Sequence, residues 1–258
     1  MLYVGTSGWQ YRHWRDTFYP REVAQARWLE HYVERFQTVE LNNSFYMLPS
    51  AATFDSWRRR APDDFVFAVK ASRLLTHMKR LKDVEQPLER FLERATRLGS
   101  KLGPVLLQLP PRMAARPDRL QAALSLVPRR LRVAVEFRND SWYTADVRTI
   151  LERREAALCW ADSPVRRTPA WRTAPWGFVR FHHGLGRPQP CYPRSELERW
   201  SERIARTWEP DEDVFAYFNN DPLACALRDA IVFAGLARAD GLRPTRVPHA
   251  AEVRVGGG

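Results

Sequence analysis

Cysteine is scarce: Cys159, Cys191 and Cys225 are the three in 258 residues. They fit no pairing framework and no CxxC motif. Cys159 falls in an apolar run and Cys225 in a helical one, so both read as small core residues, and Cys191 beside Tyr192 is a nucleophile candidate without supporting partners. A reducing, cytoplasmic location is the simplest reading of such usage. Histidine is scarce as well, six in all, with no HxH or HExxH spacing. A multinuclear zinc site calls for more imidazole than that, and no metal ligand set is assigned. Long hydrophobic runs are missing: none approaches the ~20 residues of a membrane span. The start MLYVGTSGW lacks the basic segment and long apolar stretch of a signal peptide, and reads instead as a first strand. No GxGxxG or GxxxxGK[ST] follows any strand, which weakens a nucleotide-binding open sheet.

Positive charge is in excess. Lys and Arg number 41 against 30 Asp and Glu, a net +11. The excess is segregated. Ala71 to Lys82 holds Arg73, Lys79, Arg80 and Lys82 and no acid; Ser163 to Ser195 holds Arg166, Arg167, Arg172, Arg180, Arg187 and Arg194 and no acid. Elsewhere the signs roughly cancel. Both stretches follow apolar runs, so they are expected on one face, where they would focus a positive field on an anionic ligand. The alternative is that Arg-rich loops serve solubility.

Eight short apolar runs, near residues 2–5, 37–42, 65–70, 105–109, 132–137, 157–161, 177–182 and 213–218, alternate with helical patterns. Such runs suit buried parallel strands. Eight of them in a chain of this length predict a single-domain TIM-like (β/α)8 barrel over residues 1–241, with a mobile tail at 242–258. Start signals are read at Asp83 with Gln86, at Ser195 with Glu198, and at Asp221 with Pro222 opening the last helix. Gly241 marks that helix's end. The segment between runs six and seven shows no helical stripe.

Most runs end in a polar or charged residue. TVELNN brings Glu40 and Asn42, FVFAVK brings Lys70, VLLQLP brings Gln108, VAVEFR brings Glu136 and Arg138, ALCWAD brings Asp162, FVRFHH brings Arg180 and His182, and VFAYFNND brings Asn219, Asn220 and Asp221. In order, GTSGWQYRHWRDTFYP, TVELNNSFYMLP, FVFAVKASRLLTHMKRL, LGPVLLQLPP, AVEFRNDSW and YFNNDPLACA resemble the YecE-like family, domain of unknown function 72. The blocks run from residue 5 to about 235. The resemblance implies a TIM-like barrel and no particular activity. An Arg-Leu-His-Gly-like block is expected at the seventh strand, where this chain has Arg180-Phe181-His182-His183-Gly184. Which histidine faces inward is left open. A looser fold-level likeness to endonuclease IV-like barrels carries little functional weight.

In such a barrel the carboxyl ends of the strands form the functional face. Glu40 and Glu136, from strands two and five, are candidates for an acid and base pair or a nucleophile and acid; the alternative is an ion pair in the barrel's polar layer. Asp162 reads as a base, a metal ligand or a turn cap, and His182 as catalytic or orienting. Arg180 and His182 share one side of their strand by period two. Lys70, Arg73, Arg138 and Arg180 are candidate anion binders, and Asn42, Gln108 and Asn219 candidate hydrogen-bonding groups. Trp9, Tyr11, Tyr46 and Trp142 offer ring faces for bases or sugars, unless they plug the core. Asp221 reads as a helix cap. Three functions fit: nucleic-acid binding or phosphodiester hydrolysis, hydrolysis or isomerisation of a small anionic or sugar-like substrate by Glu40 and Glu136, or a non-catalytic ligand- or protein-binding barrel. The partner expected is an anionic ligand, nucleic acid being one candidate. No cofactor and no oligomeric state is assigned, and no membrane association is expected.

Overall fold

Short β-branched and aromatic runs with almost no polar interruption form strands buried on both faces, and the computed structural model shows eight of them. They are β1 (Leu2–Thr6), β2 (Thr38–Leu41), β3 (Val66–Lys70), β4 (Leu102–Gln108), β5 (Val133–Glu136), β6 (Ala157–Asp162), β7 (Gly177–Phe181) and β8 (Val214–Phe218). The structure describes residues 1–162 and 168–253. The strands close in sequence order into a parallel barrel, β1 beside β8. Helices connect them: α1 (Trp28–Arg35), a short α2 (Asn43–Tyr46), α3 (Ala51–Arg60), α4 (Glu85–Ala95), α5 (Pro117–Ser125), α6 (Ala145–Arg154), α7 (Arg194–Ala205) and α8 (Cys225–Ala239). Each lays an apolar stripe inward, as Leu88, Phe91, Leu92 and Ala95 do on α4. Among the described residues between β6 and β7 there is no helix, and Arg166 and Arg167 lie outside the described residues.

The chain divides into two compact units. The first comprises Met1–Glu40, Ala161–Thr168 and Val179–Gly258, and the second Leu41–Trp160 and Pro169–Phe178. In the first, β1 pairs with β8 from Leu2↔Val214 to Thr6↔Phe218, and with β2 at Thr6↔Val39. Gly5 permits that approach, since a Cβ there would sit 2.4 Å from the Thr38 carbonyl oxygen. In the second, β3 to β6 pair in order, with Gln108 level with Glu136.

Helix starts depart from the sequence signals. α4 opens at Glu85 after Val84, and Asp83 takes a left-handed φ of 49° instead of capping. α7 opens one residue before the expected Ser195 cap, after Pro193, and Glu198 pairs with Arg194 at 2.9 Å. Asp221 caps nothing: Pro222–Ala224 form a separate tight turn, and α8 begins at Cys225. At Asp221, contacts with Trp14 and His13 outweigh a local capping preference worth ~1 kcal/mol.

The reading of unpaired cysteines needs correction. Cys191 and Cys225 form a disulfide, 34 residues apart, and Cys159 is buried outside that disulfide. The spacing gave no sign of it because the chain travels through α7 and β8 before the two meet. With it goes the cysteine argument for a reducing compartment. No described helix is long and apolar enough to cross a membrane. Residues 242–253, read as a tail, hydrogen-bond to the barrel: the Thr245 N–H donates to Leu2 O at 2.8 Å, and Glu252 pairs with Arg35 at 2.9 Å. Residues 254–258 lie outside the described residues.

Candidate functional site

Strand alternation turns Thr38 and Glu40 to the same side of β2. In the first unit the Thr38 hydroxyl meets the Tyr217 hydroxyl at 2.7 Å, and one level further Arg180 Nη2 donates to Glu40 Oε1 at 2.6 Å. Glu40 and Arg180 are buried. Glu40 Oε2, also buried, has no hydrogen-bond partner among the described residues.

His182, just past β7, has Nε2 3.4 Å from Arg180 Nη1 and Nδ1 3.2 Å from the Asn219 side-chain amide. The guanidinium and the Asn219 Nδ2 both only donate, and a neutral imidazole accepts at one nitrogen, so either tautomer of His182 accepts one of these two hydrogen bonds. The expected period-two pairing of Arg180 and His182 is therefore met in space. His183 is exposed, and its backbone N–H donates to the Tyr192 hydroxyl at 3.1 Å. His182, not His183, joins the buried cluster.

Asp162 ends β6 and accepts from the Tyr192 hydroxyl at 2.5 Å. Burial pushes the Asp162 carboxyl up, against the Tyr192 hydrogen bond, and pushes the Tyr192 hydroxyl up too. Tyr192 is fixed from behind by Asp229 on α8. Asp229 Oδ2 accepts from the Tyr192 N–H at 2.8 Å and from Asn220 Nδ2 at 2.7 Å. Asp229 is fully buried, and desolvation pushes its carboxyl up to about 6. Sequence reading missed Tyr192 and Asp229, since a Tyr in a loop and an Asp inside a helix carry no spacing signal.

In the second unit the strand ends hold a different set. Gln108 Nε2 donates to Glu136 Oε2 at 2.9 Å, and Arg138 Nε donates to Glu136 Oε1 at 3.0 Å. Glu136 is 1% exposed and both its oxygens are engaged. Lys70 is 8% exposed, with Nζ 4.2 Å from the centroid of the Phe45 ring. The Phe45 ring meets His77 edge-on at 4.9 Å. His77 lies in a π-helical turn, Leu74–Met78, and burial, then Lys70, Arg138 and Arg73, push its imidazole down to about 4. Asn42 is half-buried, Arg73 is exposed, and Tyr46 is 75% exposed.

Two expected ring faces belong to the core. Trp142 is fully buried, stacked on Phe137 at 4.9 Å with Nε1 donating to Met113 O at 2.9 Å. Trp9 is 3% exposed, and its carbonyl accepts from the Tyr19 hydroxyl at 2.6 Å. Tyr11 is half-buried and donates to Ser7 O at 2.5 Å. Large rings flanking a strand serve packing first, and spacing alone does not separate the two uses. Among the described residues no three His, Cys, Asp or Glu side chains gather to hold a metal ion.

Eight parallel strands closed into a ring, with polar and charged residues at their carboxyl ends, define a TIM-like barrel protein. The chain belongs to the family described as "Protein of unknown function DUF72", which matches residues 3–252. It is 26% identical over 262 residues to the UPF0759 protein YunF of Bacillus subtilis, covering 86% of this chain and 89% of that protein. It is 28% identical over 144 residues to the UPF0759 protein YecE of Escherichia coli K12, covering 55% of this chain and 50% of that protein. A DUF72 family crystal structure from Thermotoga maritima superimposes with a TM-score of 0.81 at 26% identity, covering 92% of this chain and 99% of that one. One from Enterococcus faecalis gives 0.76 at 20% identity, covering 92% and 96%, and speaks to the fold alone.

Proposed function

We propose that this protein binds a phosphate-bearing polyanion, of the nucleic-acid class, through the strand ends of its second unit. The observation that carries the reading is the electrostatics at His77. Burial is the largest cause of the depressed imidazole, and Lys70, Arg138 and Arg73 then push it the same way, as a positive potential would. Glu136 acts on His77 in the opposite sense, and its two oxygens are engaged by Gln108 and Arg138. Ala71 to Lys82 adds basic residues without an acid. Beside these stands Tyr46, 75% exposed, next to Phe45 at 5.1 Å between ring centroids. Exposed rings among cations suit backbone phosphates with unstacked bases. The engaged state of Glu136 argues against its use as a free acid or nucleophile on a small sugar.

Fluorescence anisotropy of labelled single-stranded, duplex and abasic oligonucleotides over a salt series tests this reading. Log affinity should fall linearly with log salt, by about 0.7 per phosphate neutralised on a single strand. Lys70→Met and Arg138→Met should each lower that slope by about that amount. Absence of binding at low salt would overturn the proposal.

A further inference from the structure

One imidazole stands half out in solvent with a carboxylate behind it. His13 lies in the tight turn Arg12–Trp14 that follows β1, and its Nε2 is 2.7 Å from Asp221 Oδ2, just past β8. The other Asp221 oxygen, Oδ1, accepts from Trp14 Nε1 at 2.7 Å. Trp14 is fully buried. The Asp221 side chain is 11% exposed and that of His13 47%. A carboxylate without a proton only accepts, so Nε2 of a neutral His13 carries the hydrogen and Nδ1 keeps its lone pair. Nδ1 meets no hydrogen-bonding partner among the described residues. The Tyr11 ring lies 5.6 Å from the imidazole, centroid to centroid, and restricts its tilt.

A structural tie needs less than this. Trp14 already joins the turn after β1 to the segment after β8 through Asp221 Oδ1. The imidazole adds a second, partly exposed partner to a carboxylate that burial disfavours as an anion. A buried carboxylate fixing the tautomer of an accessible imidazole is the arrangement that prepares a general base. Arg12 and Arg15, both exposed, flank His13 in the chain and favour a substrate that carries negative charge.

We propose that His13 and Asp221 are a proton-transfer pair for the hydrolysis of an anionic ester, with a phosphate ester as the substrate class. His13 Nδ1 accepts a proton from water as the water oxygen bonds to phosphorus. The phosphorus–oxygen bond to the leaving group breaks, and the imidazolium returns its proton to the departing alkoxide. No oxidant or reductant enters. His13 is the catalytic base, and Asp221 is a positioning residue that holds the tautomer and stabilises the imidazolium. The pair lies within the first unit, and the inference does not rest on polyanion binding by the second.

The test uses the full chain with three chromogenic esters, 4-nitrophenyl phosphate, bis(4-nitrophenyl) phosphate and the neutral 4-nitrophenyl acetate, each with and without added Mg2+. The expected result is turnover of a phosphate ester in preference to the acetate, with kcat reduced about 10²- to 10⁴-fold in His13→Gln and KM little changed. Asp221→Asn should approach that loss, and the solvent deuterium isotope effect on kcat should disappear in His13→Gln. His13 is half exposed, so His13→Gln should fold, and circular dichroism checks each variant. Undiminished turnover in His13→Gln would overturn the pairing. So would the absence of turnover of all three esters above the His13→Gln background. Neither result depends on oligonucleotide binding, so failure of the polyanion reading would be seen separately.

Discussion

Arg180 Nη2 donates to Glu40 Oε1 at 2.6 Å, with the arginine 1% and the glutamate 0% exposed. Two charges taken out of water in this way are held by each other more than by the fold. Their attraction offsets a desolvation cost of several kcal/mol per ion, so the pair adds little net stability, but removal of one partner strands the other. Arg180→Met should therefore lower unfolding free energy by about 3–5 kcal/mol, read from urea denaturation. The double variant Glu40→Gln, Arg180→Met should recover much of that loss. If the double variant is as unstable as the sum of the single ones, the two side chains are not a coupled pair.

The low pKa of His77 makes it a reporter for the proposed ligand. Its imidazole is pushed down to about 4 by burial and by Lys70, Arg138 and Arg73. An anion bound among those cations would cancel part of their field, so the His77 pKa followed by NMR should rise by roughly one unit with a saturating oligonucleotide. Lys70→Met should raise it without ligand. An unchanged titration in the oligonucleotide complex would place the bound anion elsewhere.

Asp229 gives the opposite sign. Its folded carboxyl titrates near 6, chiefly through desolvation, while an unfolded aspartate titrates near ~3.9. Between pH 4 and 6 the folded protein holds a proton that the unfolded chain has released. Stability from this group therefore rises as pH falls through that window and is lost as pH climbs back, by roughly 3 kcal/mol across it. His77, with a depressed folded pKa, is destabilising as pH falls over nearly the same range, so the wild-type curve alone mixes the two. The difference between wild type and Asp229→Asn isolates the carboxyl. It should change by about 2–3 kcal/mol between pH 4 and 7 in urea unfolding. A difference independent of pH would mean that Asp229 is charged in the fold throughout.

The barrel was legible because each strand is an apolar run ended by a polar residue, and that pattern records burial directly. The run at 132–137 predicts β5 at Val133–Glu136 almost to the residue. Arg180 with His182 was legible for a similar reason, since period two operates within one strand. What spacing does not encode is a partner brought by closure. Nothing near His13 points to Asp221, more than two hundred residues on, and the local Asp-Pro signal points to a cap that the fold does not use. Rings were the least legible: Trp142 and Tyr46 both follow strand ends, yet one is fully buried and the other 75% exposed. Which of them packs depends on helices whose positions the ring itself does not report.

The Cys191–Cys225 disulfide is the remaining long-range link, and its contribution can be separated from its neighbours. It joins the loop before α7 to the first residue of α8, where Asn220 Nδ2 also holds Pro190 O at 3.0 Å and Gly184 N–H donates to the same oxygen at 3.0 Å. Those hydrogen bonds survive in Cys225→Ser, so the variant should keep the loop in place while the unfolded chain regains freedom. For a separation of 34 residues, the loop-closure argument gives roughly 4 kcal/mol. In a chain of 258 residues that corresponds to a fall in Tm of about 8–16 °C, measured against wild type without reductant. Alkylation in denaturant without reductant should label one cysteine per chain, Cys159, and three after reduction. Three labels before reduction would show that the link is absent, and the Tm difference should then vanish with it.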